Sequence, residues 1–229
     1  MARTQLRETP EFLAHKKKKE ALHKGISADQ GPEGKVFYNL AAYFATECSY
    51  ALTFYLIFIY FNPSLKVLGY RASDIIVHNF YLSLIAILYN MAMVFLSTRY
   101  NPLKIVRLRA SYGLVVIVLL PLLLVKDYSI GHIFFVQVLL LLYRGGATPA
   151  DSIFIQRFQV DRRFTFVTFN YALSRACMHV TSAFGLVYLT EWFGHYGILL
   201  IGVPISIAFI WGARHFERLE NPIKDKGED

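Results

Sequence analysis

Residues 36–61 read VFYNLAAYFATECSYALTFYLIFIYF, and Glu47 is the one charged residue among them. The hydrocarbon core of a bilayer is about 30 Å thick, and an α-helix needs about 20 apolar residues to cross it. This stretch therefore predicts a transmembrane helix.

The rest of the chain repeats this pattern. Of its 229 residues, 55% are hydrophobic and 17% are charged, whereas soluble domains carry about 25% charged residues. The apolar residues come in long blocks, which excludes a disordered chain, a coiled coil and a disulfide scaffold. Six blocks are long enough to cross a bilayer: 36–61, 74–96, 109–125, 130–155, 164–190 and 195–213. We therefore predict an all-α membrane domain over residues 36–213 with six transmembrane helices.

The basic residues predict the orientation of this domain. Residues 1–35 form a basic tail with a predicted short helix over 10–24, and residues 214–229 form a second tail. The two tails and the connections after the second and fourth blocks, counted with Arg109, hold 19 Lys and Arg residues, against three in the other connections. Cytoplasmic segments carry the excess of Lys and Arg, so we expect both termini in the cytoplasm. The basic helix is interpreted as a solvated cytoplasmic surface, with contact to anionic membrane lipid as the alternative.

Three charged residues lie deep inside the blocks. At about 1.5 Å per residue, Glu47 lies about 16 Å along the first block, Arg144 about 21 Å along the fourth and Arg175 about 16 Å along the fifth. Charges at membrane depth usually face the interior of a helix bundle, pair with one another and mark a transport pathway. We therefore predict one polar site in which Glu47 faces both arginines, with His179 one helical turn from Arg175. A purely structural ion pair is the alternative.

The fourth block carries a second unusual feature. Gly145, Gly146 and Pro149 follow Arg144 and predict a loosened or kinked helix. Broken helices often mark the binding site of a transporter, so these residues are candidates for a hinge. Packing of the two glycines against a neighbouring helix is the alternative.

The remaining polar residues of the blocks are weaker indicators. The third and sixth blocks are almost wholly aliphatic or aromatic, which favours lipid-facing helices. Arg109 opens the third block, where we expect its side chain to snorkel towards the headgroups. Three further polar residues are weaker site candidates, since a single polar group often bonds only to a neighbouring helix: Tyr55, Asn90 and Gln137.

Sequence motifs for catalysis and cofactor binding are absent. No Walker phosphate-binding loop, GxGxxG, CxxC, HExxH or GxSxG motif occurs. We therefore expect neither an enzyme nor a bound cofactor or metal. The net charge of +8 is explained by membrane topology, and no nucleic-acid partner is predicted.

Three stretches of the sequence resemble one transporter family. Residues 6–12 read LRETPEF, residues 54–63 read FYLIFIYFNP, and residues 149–171 include Phe158 and Arg163. They resemble parts of the C-terminal half of major facilitator superfamily transporters, in the metabolite:proton symporter branch that includes proline/betaine carriers. The resemblance implies that the six spans correspond to the family's helices seven to twelve, with the first and fourth lining a central cavity and the third and sixth outside it. It also implies proton-coupled secondary transport of a small organic solute.

The resemblance implies roles for the charged residues as well. An arginine would hold a substrate carboxylate, Glu47 would take up a proton or bind a quaternary ammonium group, and His179 would relay protons. Two departures stand out: residues 97–99 read Ser-Thr-Arg where the family has Ser-Asp-Arg, and Gln156 and residues 158–159 (Phe-Gln) replace the usual Glu and Phe-Pro. The first departure removes the carboxylate expected for gating.

Alternating access requires two halves that rock about a site between them. For the family's N-terminal six helices, three interpretations stay open. A separate chain supplies them, a second copy of this chain replaces them, or the chain is a truncated fragment or membrane scaffold that does not transport. In the last case the charges inside the membrane are only structural.

Overall fold

The structure is a computed structural model that describes residues 33–124, 129–160 and 162–220. These residues form helices joined by turns, with no β-strand among them. In chain order the helices are α1 Glu33–Phe58, α2 Asn62–Val67, α3 Ala72–Arg99, α4 Pro102–Leu123, α5 Ile130–Tyr143, α6 Asp151–Gln156, α7 Arg163–Val180, α8 Val187–Phe193 and α9 Gly197–Glu220. A π-helical turn, Thr181–Leu186, joins α7 to α8, and a 3₁₀ turn, Gly194–Tyr196, joins α8 to α9. The predicted helix over 10–24 and the second tail beyond Glu220 lie outside the described residues.

The described helices are those expected of a helical membrane protein. Four helical segments are long and apolar enough to cross a membrane, as judged by length and composition: Val36–Val67, Ala72–Arg99, Pro102–Leu123 and Arg163–Glu220. The last of these has 58 residues and turns back at Gly194, whose φ of +57° glycine adopts readily. Because α9 packs against α8 after this turn, the segment contains two antiparallel arms.

Several helix boundaries differ from the predicted blocks. The third block was expected to begin at residue 109, but α4 begins at Pro102, because the Asn101 side chain accepts a hydrogen bond from Leu103 N (2.9 Å) and Pro102 suits a first helical turn. The fourth block, 130–155, is not one helix, since α5 ends at Tyr143. The sixth, 195–213, continues to Glu220.

The ends of the bundle are tied by polar contacts. At one end, Asn39 Nδ2 donates to Arg157 O (3.5 Å), and Asn39 Oδ1 accepts from His215 Nε2 (2.8 Å). At the other end, a hydrogen bond of 2.8 Å joins Tyr60 Oη and His195 Nδ1. The start of α1 therefore lies beside the end of α9, and the two helices run antiparallel.

Helix α1 is the centre of the packing. It contacts α7, α5 and α9, and α9 in turn packs along α4. In α4, 44% of an 18-residue apolar stretch is buried inside the bundle, whereas in α3 only 11% of such a stretch is buried. The aliphatic composition of the third block therefore did not predict its burial: α4 packs into the bundle, and α3 is the more peripheral helix.

Close approach of α9 to α1 depends on one glycine. A Cβ atom added at Gly212 would lie 2.6 Å from Ala42 O and 3.0 Å from Thr46 Oγ1. The backbone of Ala42 cannot move away from such a close contact in the way that the end of a flexible side chain can. Gly212 therefore sets the spacing of the two helices that carry much of the core.

We expect Gly212→Leu to lower the thermal unfolding midpoint of the purified protein in detergent. Overpacking a well-packed site costs about 1–3 kcal/mol of unfolding free energy. The matched control is Gly131→Leu, because a Cβ there meets only Ser129 Oγ, at 4.0 Å. Equal midpoints for the two variants would contradict the close α1–α9 contact.

Candidate functional site

The charges that the sequence places inside the helices meet where α1 packs against α7. Arg175 Nη2 donates to Glu47 Oε2 at 3.0 Å, and Arg175 Nη1 donates to Glu47 O at 2.8 Å. The Glu47 side chain is 8% exposed and the Arg175 side chain 16% exposed. Removal of one partner from an ion pair buried to this degree is strongly destabilising, because it leaves an uncompensated charge.

Aromatic rings complete the surroundings of Arg175. Its guanidinium carbon lies 4.5 Å from the centroid of the Tyr50 ring and 4.3 Å from that of the Tyr171 ring. A guanidinium over an aromatic face is attracted by the negative face of the ring. Arg175 is thus bound along one edge by Glu47 and contacted by two rings.

Arg144 joins this group through Tyr50 alone. It follows Tyr143, the last residue of α5, and its Nη2 donates to Tyr50 Oη at 3.0 Å. Its guanidinium carbon lies 5.3 Å from the centroid of the same ring. The structure places Glu47, Arg175 and Arg144 in one group, but the prediction that Glu47 faces both arginines is wrong in detail: Glu47 pairs with Arg175, and Tyr50 links the two arginines. Tyr50 lies three residues after Glu47 on one helical face, a spacing that could have identified it.

The helix break beside Arg144 is built into the bundle. Residues 144–150 separate α5 from α6, and Gly146 has a φ of +112°. Gly145 N donates to Thr53 Oγ1 of α1 at 3.2 Å. A Cβ at Gly145 would lie 2.5 Å from the backbone carbon of Ser49, so only glycine fits. The sequence predicted a weakened helix at Gly145, Gly146 and Pro149; that the segment moves as a hinge stays a prediction.

Arg109 of α4 hydrogen-bonds to the backbone of the broken segment at 144–150. The expectation that its side chain snorkels to the headgroups is therefore wrong. The residue is 7% exposed, and its Nη2 donates to Gly146 O at 2.6 Å. Its Nε is buried without a hydrogen-bond partner in the described structure. The earlier start of α4 places Arg109 inside the helix rather than at its end, so its side chain reaches the backbone that the break leaves unpaired.

A buried hydroxyl network lies next to the break. Tyr143 Oη hydrogen-bonds to Ser49 Oγ at 2.8 Å and to Ser206 Oγ at 3.3 Å, which joins α5 to α1 and α9. Gly113 of α4 packs against the Tyr143 ring so closely that a Cβ there would overlap it. The sequence analysis missed this network, because serine and tyrosine inside an apolar block give no distinctive signal.

Asp151 is a second acidic residue that the sequence analysis missed. It begins α6, is half-buried, and its Oδ2 accepts from Thr148 Oγ1 at 2.7 Å. It lies close enough to Glu47 and Tyr43 to interact with both electrostatically. The signal was available, since Asp151 is a charge within the fourth predicted block.

The weaker candidates lie apart from this cluster. Gln137 is buried, donates to Ile57 O at 2.7 Å and shares a hydrogen bond of 2.7 Å with His78 Nε2. It thus joins α5 to α1 and α3. Tyr55 and Asn90 are half-buried and His179 is exposed, and the side chains of these three make no hydrogen bond within the described ranges.

A cavity lies apart from the group of Glu47, Arg144 and Arg175. It has a volume of about 500 Å³ and lies between α3 and α5, near the start of each. Its lining includes Tyr70, Asp74, Tyr81 and Phe134. Among the described residues, no three His, Cys, Asp or Glu side chains form a group that could hold a metal ion.

Comparison with known proteins identifies no relative. No protein-family model, no curated protein and no solved structure matches this chain. The family resemblance of residues 6–12, 54–63 and 149–171 therefore stays a prediction. Functional argument rests on the geometry of the charged residues.

We expect a double-mutant cycle to detect the Glu47–Arg175 pair. Glu47→Gln and Arg175→Gln should each cost about 3–5 kcal/mol of unfolding free energy, because each leaves one buried charge alone. The double variant should cost less than the sum, with a coupling energy of about 0.5–3 kcal/mol. Unfolding in mixed micelles provides the measurement.

The Arg157–Glu220 pair provides the matched control for this cycle. Its side chains are 34% and 43% exposed, and exposed pairs couple by about 0–1 kcal/mol. Equal coupling energies in the two cycles would contradict a buried pair at Glu47.

We expect Arg109→Gln to destabilise the protein more than Arg107→Gln does. Glutamine at 109 cannot reach Gly146, and an unsatisfied buried carbonyl costs about 1–3 kcal/mol of unfolding free energy. Arg107 makes an ion pair with Glu217 at 3.0 Å with its side chain 47% exposed, which is worth about 0–1 kcal/mol. The same unfolding assay measures both, and a larger loss for Arg107→Gln would refute the role of Arg109.

Proposed function

We propose that this chain is a six-helix unit of a secondary transporter, which carries a small organic solute across the inner membrane together with protons. The observation that carries the proposal is the group of Glu47, Tyr50, Arg144 and Arg175 beside a broken helix. In this proposal both termini are cytoplasmic. The chain is proposed to belong with the metabolite:proton symporters of the major facilitator superfamily.

The cost of placing charges in a membrane supports this proposal. An ionised side chain at the bilayer centre costs several kcal/mol on insertion scales. Glu47 lies about halfway along α1, and Arg175 lies in the middle part of the segment that runs from α7 to α8. Charges kept at such positions usually belong to a pathway for ions or solutes.

The helix break supports the same proposal. In many transporters a discontinuous helix lies at the binding site, where unwound backbone and helix ends contact the substrate. Here the break at 144–150 places Arg144 next to the ion pair. A second six-helix unit, from another chain or a second copy, would face this site and provide alternating access.

The ion pair offers a way to couple protons to the solute. Protonation of Glu47 would remove its negative charge, and with it the Coulomb attraction that holds Arg175. A released Arg175 would change the position of Tyr50, which also contacts Arg144. Proton uptake and solute binding would then act on the same few side chains, with His179 on the exposed face of α7 as the proton relay.

A second candidate function is a membrane scaffold that does not transport. The observation that favours it is the complete pairing of Arg175, which contacts Glu47 and two aromatic rings. Such a residue can hold α1 to α7 without any ligand. In that case the charges serve only the stability of the bundle.

Uptake into right-side-out membrane vesicles distinguishes the two functions. With an acidic exterior, we expect gradient-driven uptake of radiolabelled proline betaine or radiolabelled citrate. Arg175→Ala should abolish uptake while the protein remains in the membrane fraction. Arg214→Gln, which removes an exposed arginine of α9, should retain it.

Two results would contradict transport through this site. Absence of gradient-driven uptake for both solutes would favour the scaffold. Full uptake by Arg175→Ala would show that the ion pair lies outside the pathway.

A further inference from the structure

The two arginines of the site differ in how far their hydrogen-bonding capacity is used. Arg175 donates twice to Glu47 and lies against the rings of Tyr50 and Tyr171. A carboxylate along one edge of the guanidinium and rings at 4.5 Å and 4.3 Å leave little of it open to a ligand. Arg175 is therefore suited to position its neighbours.

Arg144 has unused donors. A guanidinium carries five N–H donors, and the hydrogen bond that Arg144 makes within the described chain is the one to Tyr50 Oη. No carboxylate of a described residue lies within ion-pair distance of it, and the side chain is half-buried. A half-buried cation in an apolar bundle costs free energy unless an anion compensates its charge.

The charges around the break leave an excess of positive charge. Arg109, Arg144 and Arg175 stand against Glu47 and Asp151. Arg175 is paired with Glu47, and Arg109 is closed off by burial and its bond to Gly146 O. Of Arg109 and Arg144, which form no ion pair with a carboxylate of the described residues, Arg144 is the more accessible.

Tyr50 adds a second donor at the same place. Its hydroxyl oxygen accepts the hydrogen bond from Arg144 (3.0 Å), which leaves the hydroxyl proton to be donated elsewhere. Arg144 N–H groups and the Tyr50 O–H are thus two kinds of donor that can meet one oxyanion. Arginine binds carboxylate and phosphate groups with paired, charge-assisted hydrogen bonds.

We infer that Arg144 and Tyr50 form the receptor for an oxyanion group of the transported solute, a carboxylate or a phosphate, and that Arg175 only positions Tyr50 and Glu47. This inference rests on the proposed function and assigns the substrate class of the same site. It makes Arg144 the residue that determines specificity. Solutes without an anionic group are rejected, because they leave the Arg144 charge uncompensated.

Binding tests the inference without transport. The purified full chain in nanodiscs of phosphatidylcholine is heated with succinate, citrate, benzoate or inorganic phosphate, and with choline chloride as the cationic control, at equal ionic strength. We expect at least one oxyanion to raise the thermal unfolding midpoint in a saturable way. The midpoint with choline chloride should equal that with sodium chloride.

Variants of the two donors and of the ion pair sharpen the test. Arg144→Gln should weaken binding of that oxyanion at least tenfold, and Tyr50→Phe, which keeps the ring and removes the hydroxyl, should weaken it several-fold. Arg144→Lys should restore part of the affinity. Arg175→Lys, which keeps the positive charge, should lower the unfolding midpoint without ligand and weaken oxyanion binding less than Arg144→Gln does. Arg214→Gln should bind as the parent does.

Each outcome decides the inference. A shift with carboxylates alone or with phosphate alone supports it and identifies which oxyanion is recognised. Undiminished binding by Arg144→Gln, no shift with any oxyanion, or a shift with choline would overturn it.

The inference and the proposed function can fail separately. Oxyanion binding that is lost in Arg144→Gln, without gradient-driven uptake in vesicles, would retain the receptor and reject transport. Gradient-driven uptake that Arg144→Gln leaves unchanged would retain transport and reject the receptor.

Discussion

A charge placed halfway along an apolar helix must find a partner within the bundle, and the rest of this structure depends on that constraint. Glu47 meets it through Arg175, whose two donors bind the carboxylate and the backbone oxygen of the same residue. The pair fixes α7 against α1, which also packs against α5 and α9. It also holds the Tyr50 ring in contact with Arg175, so the position of the second arginine follows from it.

The broken helix meets a related constraint. Backbone groups freed by a break inside the bundle need hydrogen-bond partners, and here the neighbouring helices supply them: Thr53 of α1 accepts from Gly145, and Arg109 of α4 donates to Gly146. The break is thus held from two sides and presents Arg144 next to the ion pair. The helix break and the charged residues beside it together give this region features of a binding site rather than of a helix contact alone.

The sequence predicted the parts of this arrangement that depend on composition, and missed those that depend on helix rotation. Glu47, Arg144 and Arg175 stand out because their surroundings are apolar, and the paired glycines predicted a loosened or kinked helix near the point where α5 ends. The roles of Tyr50 and Arg109 were missed, since they arise from which face of α1 and α4 meets the other helices. Apolar content likewise did not predict burial, because a lipid-facing surface and a packed surface have the same composition; α4 is more buried than α3.

The most direct test of the central ion pair is a solid-state NMR measurement in lipid bilayers. The protein is labelled with ¹⁵N-arginine and ¹³C-glutamate. We expect a dipolar coupling between Arg175 Nη2 and Glu47 Cδ, the carboxylate carbon, because Glu47 Oε2 lies 3.0 Å from Arg175 Nη2. Magnetisation should reach this pair from the lipid acyl chains, and Glu47→Gln should remove the coupling. A spectrum without any Glu47-dependent coupling would contradict the buried pair and the account that depends on it.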